Sequence, residues 1–321
     1  MIHPADFTPA WWLPGAHLQT LVPNLLPRRG VALRRERLEM PDGDFLDLDW
    51  GPQREGPLVL LLHGLEGSSR SPYAAGLMRR LAQAGCQGLV MHFRGCSGEP
   101  NRLPRAYSAG ETGDIAHVVD HLRRRAPDRP LALIGVSLGG NALLRWLGDH
   151  ATSPRVDAAI GISVPFDLHR AADRMERGLS RIYQWHLVRQ LRRSVLRKCR
   201  RLDMPLDCRE IARLRDFRSF DDAVTAPLAG YRDVDDYYTR ASCRPWLRGI
   251  RVPTLILHAR NDPFMTPDVI PGADELSDSV RLEVAEGGGH VGFMDSRGRS
   301  WLERRCVAWL GERFGYRFDP T

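Results

Sequence analysis

Lysine is almost absent from this chain of 321 residues: Lys198 stands alone, and the remaining 45 of its 46 basic side chains are arginine. A skew of that kind follows genome composition more than a binding code, so the net charge of +7 does not by itself point to nucleic acid, and no nucleic-acid partner is expected. No apolar run approaches the roughly 20 residues a membrane helix needs. The opening Met1-Ile-His-Pro-Ala-Asp6 lacks the basic-then-apolar order of a secretory leader. No two cysteines have C-x-x-C spacing. Cys86, Cys96, Cys199, Cys208, Cys243 and Cys306 are therefore expected as free thiols in a reducing, cytoplasmic setting, with neither a disulfide framework nor a zinc site. No metal and no cofactor are implied.

What is present centres on Leu131-Ala-Leu-Ile-Gly-Val-Ser-Leu-Gly-Gly140. An apolar run too short for a helix follows a Pro-Asp-Arg-Pro break and reads as a buried strand. Asn141-Ala-Leu-Leu-Arg-Trp-Leu147 then carries apolar side chains at helical spacing. Between strand and helix, Gly135-Val-Ser-Leu-Gly139 has the form of a nucleophile elbow, a tight turn that lifts a serine hydroxyl out of the backbone. A Cβ at either flanking glycine would collide with neighbouring backbone.

In chain order, the first thirty residues are rich in proline and aromatics without a clean period, and read as an arm laid over the main domain. His17 within it reads as a packed polar residue. Arg35–Met40 and Phe45–Trp50 flank the turn signal Pro41-Asp-Gly-Asp44 and form a hairpin. Buried strands follow at Pro57–Leu62 and Gln87–Phe93, each entering a glycine-bearing loop. The first loop, His63-Gly-Leu-Glu-Gly-Ser68, lies beyond a strand's carboxyl end, where open α/β sheets bind ligands. It is placed to offer the Leu65 backbone N–H as an oxyanion donor beside the N–H of Leu138. His63 braces that loop. Cys96 and Ser97, which no strained turn presents, read as loop packing, and Asp114 starts a helix.

After the strand Val156–Ser163, no strand candidate occurs from Pro165 to Trp246. Helical patterns there put Trp185, Leu187, Val188, Leu191, Val195 and Leu196 on one side and arginines on the other. The division expected is an arm over 1–30, an α/β core over 31–164 and 247–321, and a helical lid over 165–246. Arg192, Arg193, Arg197, Lys198, Arg200 and Arg201 crowd the lid; they read as a solvated face, the alternative being peripheral contact with anionic lipid.

Strands resume at Val252–His258 and Val280–Val284. Asp262 lies past the first and His290 past the second, so the order Ser137, Asp262, His290 is that of a serine triad on an α/β-hydrolase sheet. Serine is a poor nucleophile at neutral pH, so a histidine must take its proton and a carboxylate must hold the imidazole tautomer. Asp167 is a rival acid. Asp268 is too far along its loop.

The motifs Trp11-Trp-Leu-Pro-Gly-Ala-His-Leu-Gln-Thr-Leu21, His63-Gly-Leu-Glu-Gly-Ser-Ser69 with Ser71-Pro-Tyr73, His92-Phe-Arg-Gly-Cys-Ser-Gly-Glu-Pro-Asn-Arg102, Gly135-Val-Ser-Leu-Gly-Gly-Asn141 and Gly289-His-Val-Gly-Phe293 resemble the bacterial YheT-like α/β hydrolases. The resemblance spans almost the whole chain. It implies an α/β-hydrolase fold and a serine carboxylesterase acting on short- or medium-chain acyl esters, with kinship to eukaryotic acylglycerol and phospholipid hydrolases. Those relatives carry an N-terminal membrane anchor that is not expected here. Two other readings remain open. One is an acyltransferase on the same triad; His290-Val-Gly-Phe-Met-Asp295 fits the H-x-x-x-x-D spacing some acyltransferases share, a spacing that is incidental with His290 committed to the triad. The other is a non-catalytic module that docks an anionic partner through the arginines.

Overall fold

The computed structural model describes residues 1–26, 29–150 and 155–315. Its first half runs β1 (Ile2–Pro4), α1 (Gly15–Leu25), β2 (Arg34–Glu39), β3 (Phe45–Trp50), β4 (Leu58–Leu62), α2 (Pro72–Gln83), β5 (Gln87–Met91) and α3 (Gly113–Arg125). The elbow region follows as β6 (Leu131–Val136), α4 (Leu138–Asp149) and β7 (Ala158–Ile162). Helices α5 (Leu168–Met175), α6 (Ser180–Cys199), α7 (Cys208–Ile211), α8 (Phe217–Phe220), α9 (Ala226–Leu228) and α10 (Val234–Ala241) come next, with a π-helical turn at Asp221–Thr225. Strands β8 (Thr254–Ala259) and β9 (Val280–Ala285) and helix α11 (Trp301–Phe314) close the described chain.

The strands form one nine-stranded sheet in the order β1-β9-β8-β7-β6-β4-β5-β3-β2. Pairing is parallel except for the hairpin, where β2 runs antiparallel to β3 and β3 to β5. The central strands read as continuous apolar runs because both faces are covered. Along β4, Leu58, Leu60 and Leu62 pack with Ile115, Val118 and Leu143 of α3 and α4. Val59 and Leu61 point the other way, into the cluster that holds Leu77 and Leu81 of α2 and Leu310 of α11. Each such side chain contributes about 1.5–3 kcal/mol on burial.

The arm is more ordered than its composition suggests. Three residues extend the sheet edge as β1, parallel to β9, a strand too short to leave a sequence signature. Helix α1 escapes periodicity analysis because its pattern is inverted. It buries Gln19, Thr20 and Pro23 and leaves Leu18, Leu21 and Leu25 exposed.

The expectation of six free thiols is corrected at two positions: Cys199, at the end of α6, is bonded to Cys208, at the start of α7. The intervening turn brings their Cα atoms to 6.4 Å, a fold-back that spacing alone does not reveal. It also removes two of the thiols on which the cytoplasmic expectation rested. Lys198 does not join a solvated basic face. It is buried, its Nζ donates to the carbonyls of Arg105 (2.6 Å) and Pro104 (3.3 Å), and burial pushes its ammonium down to about 8.

The segment His92–Arg102 is held by charge. Arg94, 4% exposed, donates twice to Asp114 (2.7 and 2.8 Å) and to Asp42 and Asp44 of the hairpin turn. Asp114 thus serves α3 and this network together. No helix among the described residues is long and apolar enough to cross a membrane.

Candidate active site

Ser137 sits between β6 and α4 at φ 52° and ψ −120°, a conformation that costs a serine on the order of 1–3 kcal/mol. The surrounding glycines make it possible. A Cβ on Gly135 would lie 2.5 Å from the Gly139 carbonyl oxygen, and one on Gly139 would lie 2.5 Å from that of His63. The elbow's own amide is anchored, Ser137 N–H donating to Ile162 O at 2.8 Å.

The loop after β9 brings His290 to this serine. His290 Nε2 lies 3.0 Å from Ser137 Oγ, and Nδ1 lies 2.8 Å from Asp262 Oδ2. With Nδ1–H donating to the carboxylate, Nε2 is left as an acceptor for the serine hydroxyl. Asp262 is buried, and its Oδ1 accepts the Phe264 N–H at 2.8 Å. Phe264 stacks on the imidazole with ring centroids 4.0 Å apart.

Several groups that hold this loop leave no motif of their own. Thr20 Oγ1, on α1, accepts the His290 N–H at 2.9 Å while donating to Ala16 O. Asn261 Oδ1 accepts the Gly289 N–H, and Ser163 Oγ accepts the Val291 N–H, both at 3.1 Å. Gly292 is pressed against the same helix; a Cβ there would lie 1.8 Å from Gln19 O. The arm is therefore the platform of the histidine loop, and the only cue to this is the density of Gly15-Ala-His-Leu-Gln-Thr20. Thr20→Val leaves a buried donor unpaired, a cost of about 1–3 kcal/mol. Urea denaturation should show a loss of that size, and kcat for a nitrophenyl ester should fall about tenfold as the imidazole loosens. An unchanged kcat would remove α1 from the site.

The loop His63–Ser68 lies against the elbow, with a Cβ on Gly64 falling 3.3 Å from Ser137 Cβ. The N–H groups of Leu65 and Leu138 make no hydrogen bond among the described residues, whereas those of Gly64 and Glu66, on either side of Leu65, are engaged. Gly64 N–H donates to Tyr73 OH and Glu66 N–H to Tyr107 OH, each at 2.8 Å. His63 is buried, its Nδ1 on Gly64 O (2.7 Å) and its Nε2 accepting the Phe93 N–H (3.1 Å). Burial pushes this imidazole down to about 3, so it stays neutral and braces the loop. Glu66, at φ 51°, accepts from Tyr107 OH and from Ser194 Oγ of α6, which ties the loop to the helices above it. Burial raises its carboxyl.

A cleft opens above Ser137. Leu65, Leu138 and Phe264 line it from the sheet side, and Leu168, Met175, Leu187, Leu191 and Phe217 from the helices between β7 and β8. Asp221, in the π-helical turn, is the acidic side chain in that lining. It accepts from Thr225 Oγ1 (2.6 Å) and Tyr238 OH (2.7 Å), and burial raises its carboxyl to about 6. Asn141 pins α4 in place, donating to Ala109 O and Ala241 O and accepting the Cys243 N–H.

The rival acids lie elsewhere. Asp167 caps α5 and Asp268 pairs with Arg170. Asp295 accepts from Arg304 (2.8 Å) and from the backbone of Arg297 and Arg299, which accounts for its spacing from His290 in structural terms. His17 stacks on Tyr183 and shares a 3.1 Å hydrogen bond with its hydroxyl. Among the described residues no group of three or more His, Cys, Asp and Glu could hold a metal ion.

Residues 57–296 match the family model described as alpha/beta hydrolase fold. The YheT protein of Escherichia coli (strain K12) is 42% identical over 317 residues, covering 95% of this chain and 93% of its own. Phospholipase ABHD3 of Mus musculus is 30% identical, over 90% of this chain and 73% of its own. Among solved structures, the Pyrococcus furiosus esterase Pf2001 superposes with a TM-score of 0.57 at 15% identity, covering 92% of this chain and all of that one, a likeness of fold. On the family match and the extent of these identities, the chain belongs to the alpha/beta hydrolase family.

Proposed function

We propose that this hydrolase cleaves short- to medium-chain carboxylic esters, acylglycerols among them, through an acyl-Ser137 intermediate. The observation that carries the reading is the hydrogen-bonded series Asp262, His290, Ser137 at the foot of an apolar cleft. In this mechanism His290 Nε2 takes the Ser137 proton as Oγ adds to the ester carbonyl carbon. The oxyanion that forms accepts from the N–H groups of Leu65 and Leu138, and each such donor contributes about 3 kcal/mol to the transition state. Collapse breaks the ester C–O bond, and the alkoxide leaves with the proton from His290. Water, deprotonated by the same nitrogen, then adds to the acyl-enzyme, and the acid departs as Oγ regains its proton. Asp262 keeps Nδ1 protonated throughout and offsets the transient imidazolium charge.

The mouse phospholipase among the relatives, 30% identical, supports an acyl ester of a lipid as substrate. The cleft supports the same class, since its lining is largely Leu, Met, Phe and Ala. A series of nitrophenyl esters of increasing acyl length tests it. Each methylene buried in the cleft contributes about 0.8 kcal/mol, so kcat/KM should rise about fourfold per methylene until the cleft is full and then fall. A flat profile would deny the cleft its role as the acyl site.

A further inference from the structure

We propose that the exposed face of α6, together with the adjoining face of α1, docks this hydrolase on the surface of an anionic lipid bilayer. The inference rests on the ester-hydrolase reading for its purpose, delivery of lipid esters to the cleft, and on the surface itself for its chemistry. Helix α6 has two faces. Leu187 and Leu191 look into the cleft, and Val188, Val195 and Lys198 are buried beside them. At 3.6 residues per turn the opposite face is a stripe in which Ile182, Arg189, Arg193 and Arg200 fall within about 20° of one line. Leu179 and Trp185 flank its start.

That start is apolar and bare. Ile182 is 61% exposed, Leu179 59% and Trp185 55%. The patch continues onto α1, whose His17 stacks on Tyr183 and whose Leu21 and Leu25 are exposed. A soluble surface does not ordinarily gather large apolar side chains on two touching helices, and tryptophan with arginine beside it is suited to the headgroup boundary. Arg189 lies over the Trp185 ring, 5.2 Å from its centroid.

Charge selects the occupant. Many arginines elsewhere are matched by carboxylates, as Arg35 is by Asp49, Arg94 by Asp114 and Arg305 by Glu283. Along α6 and its C-cap, Arg181, Arg189, Arg193 and Arg200 form no ion pair among the described residues, and no acidic residue occurs from Gly178 to Arg201. A second copy would set these cations against one another. Phosphate headgroups would pair them while the acyl region takes Leu179, Ile182 and Trp185, so that α6 lies in the interface with the cleft on its other side.

The test is co-sedimentation of the full chain with phosphatidylcholine vesicles, with and without phosphatidylglycerol. The Ser137→Ala protein is run in parallel. Binding should require phosphatidylglycerol and weaken as ionic strength rises. Ile182→Ser with Trp185→Ser should cut partitioning about tenfold or more. Arg189→Gln with Arg193→Gln should cut it and flatten the salt dependence. Both pairs should leave turnover of a soluble nitrophenyl ester unchanged. Equal affinity for neutral and anionic vesicles, or no binding at all, overturns the proposal. So does a dimer that the Ile182/Trp185 variant abolishes while vesicles bind neither protein. Binding by a Ser137→Ala protein that still hydrolyses esters would instead overturn the mechanism and leave the docking surface standing.

Discussion

Ser137→Ala should lower ester turnover by about 10⁶, the loss expected when a serine nucleophile is deleted from an otherwise intact site. The fold should survive the change. The strain at φ 52° belongs to the backbone, and alanine meets it much as serine does, so thermal unfolding should be little altered. What disappears is the nucleophile that His290 Nε2, 3.0 Å from Oγ, is placed to activate toward the ester carbonyl. The N–H groups of Leu65 and Leu138 remain, and they can still hold a developing oxyanion for direct attack by water, which sets the residual rate. Steady-state kinetics with a nitrophenyl ester measure the effect. Turnover within tenfold of the parent would mean that another group is the nucleophile.

Asp262→Asn should cost about 10⁴ in kcat with KM nearly unchanged, because it spoils the tautomer and leaves the cleft intact. The carboxylate accepts a hydrogen bond from Nδ1–H at 2.8 Å, which keeps the proton on Nδ1 and leaves Nε2 free to accept from serine. An asparagine amide can turn its NH₂ toward Nδ1, which moves the imidazole proton to Nε2, where it faces a hydroxyl and can no longer receive a proton from it. The Phe264 N–H, which donates to Oδ1 at 2.8 Å, favours that orientation by holding the carbonyl oxygen on its own side. No neighbour compensates: His258 is buried nearby with its imidazole pushed down to about 4, neutral across the working range. Single-turnover acylation by a nitrophenyl ester reads the step directly. Acylation at the parent rate would reassign Asp262 to a structural role.

The parts of this molecule that were legible in the sequence are those whose cause is local. A buried strand on a parallel sheet must be apolar on both faces, and Leu58–Leu62 and Leu131–Val136 are. The elbow needs residues without a Cβ at fixed distances from Ser137, and Gly135 and Gly139 stand there. Strand ends locate Asp262 and His290, and the structure brings both within hydrogen-bond reach of the same site; their catalytic roles are the proposal. What the sequence hid is set by contacts across long separations. Thr20 and His290 are 270 residues apart, and a threonine in an arm gives no sign that it will accept an amide from another loop. Helix α1 hides because apolar periodicity reports burial, and here the leucines face outward. Ser194 and Glu66 meet only because α6 crosses the loop, and the Cys199–Cys208 bond only because the chain reverses after α6. Lys198 has the sequence setting of a surface cation, and only the long-range approach of the Pro104 and Arg105 carbonyls buries it.

The most direct test of the central claim is to treat the protein with a fluorophosphonate and locate the adduct by peptide mass spectrometry. A single phosphonylated residue is expected, Ser137, with labelling lost in Ser137→Ala and slowed in Asp262→Asn. An adduct on any other side chain, or labelling that persists in Ser137→Ala, would contradict that claim.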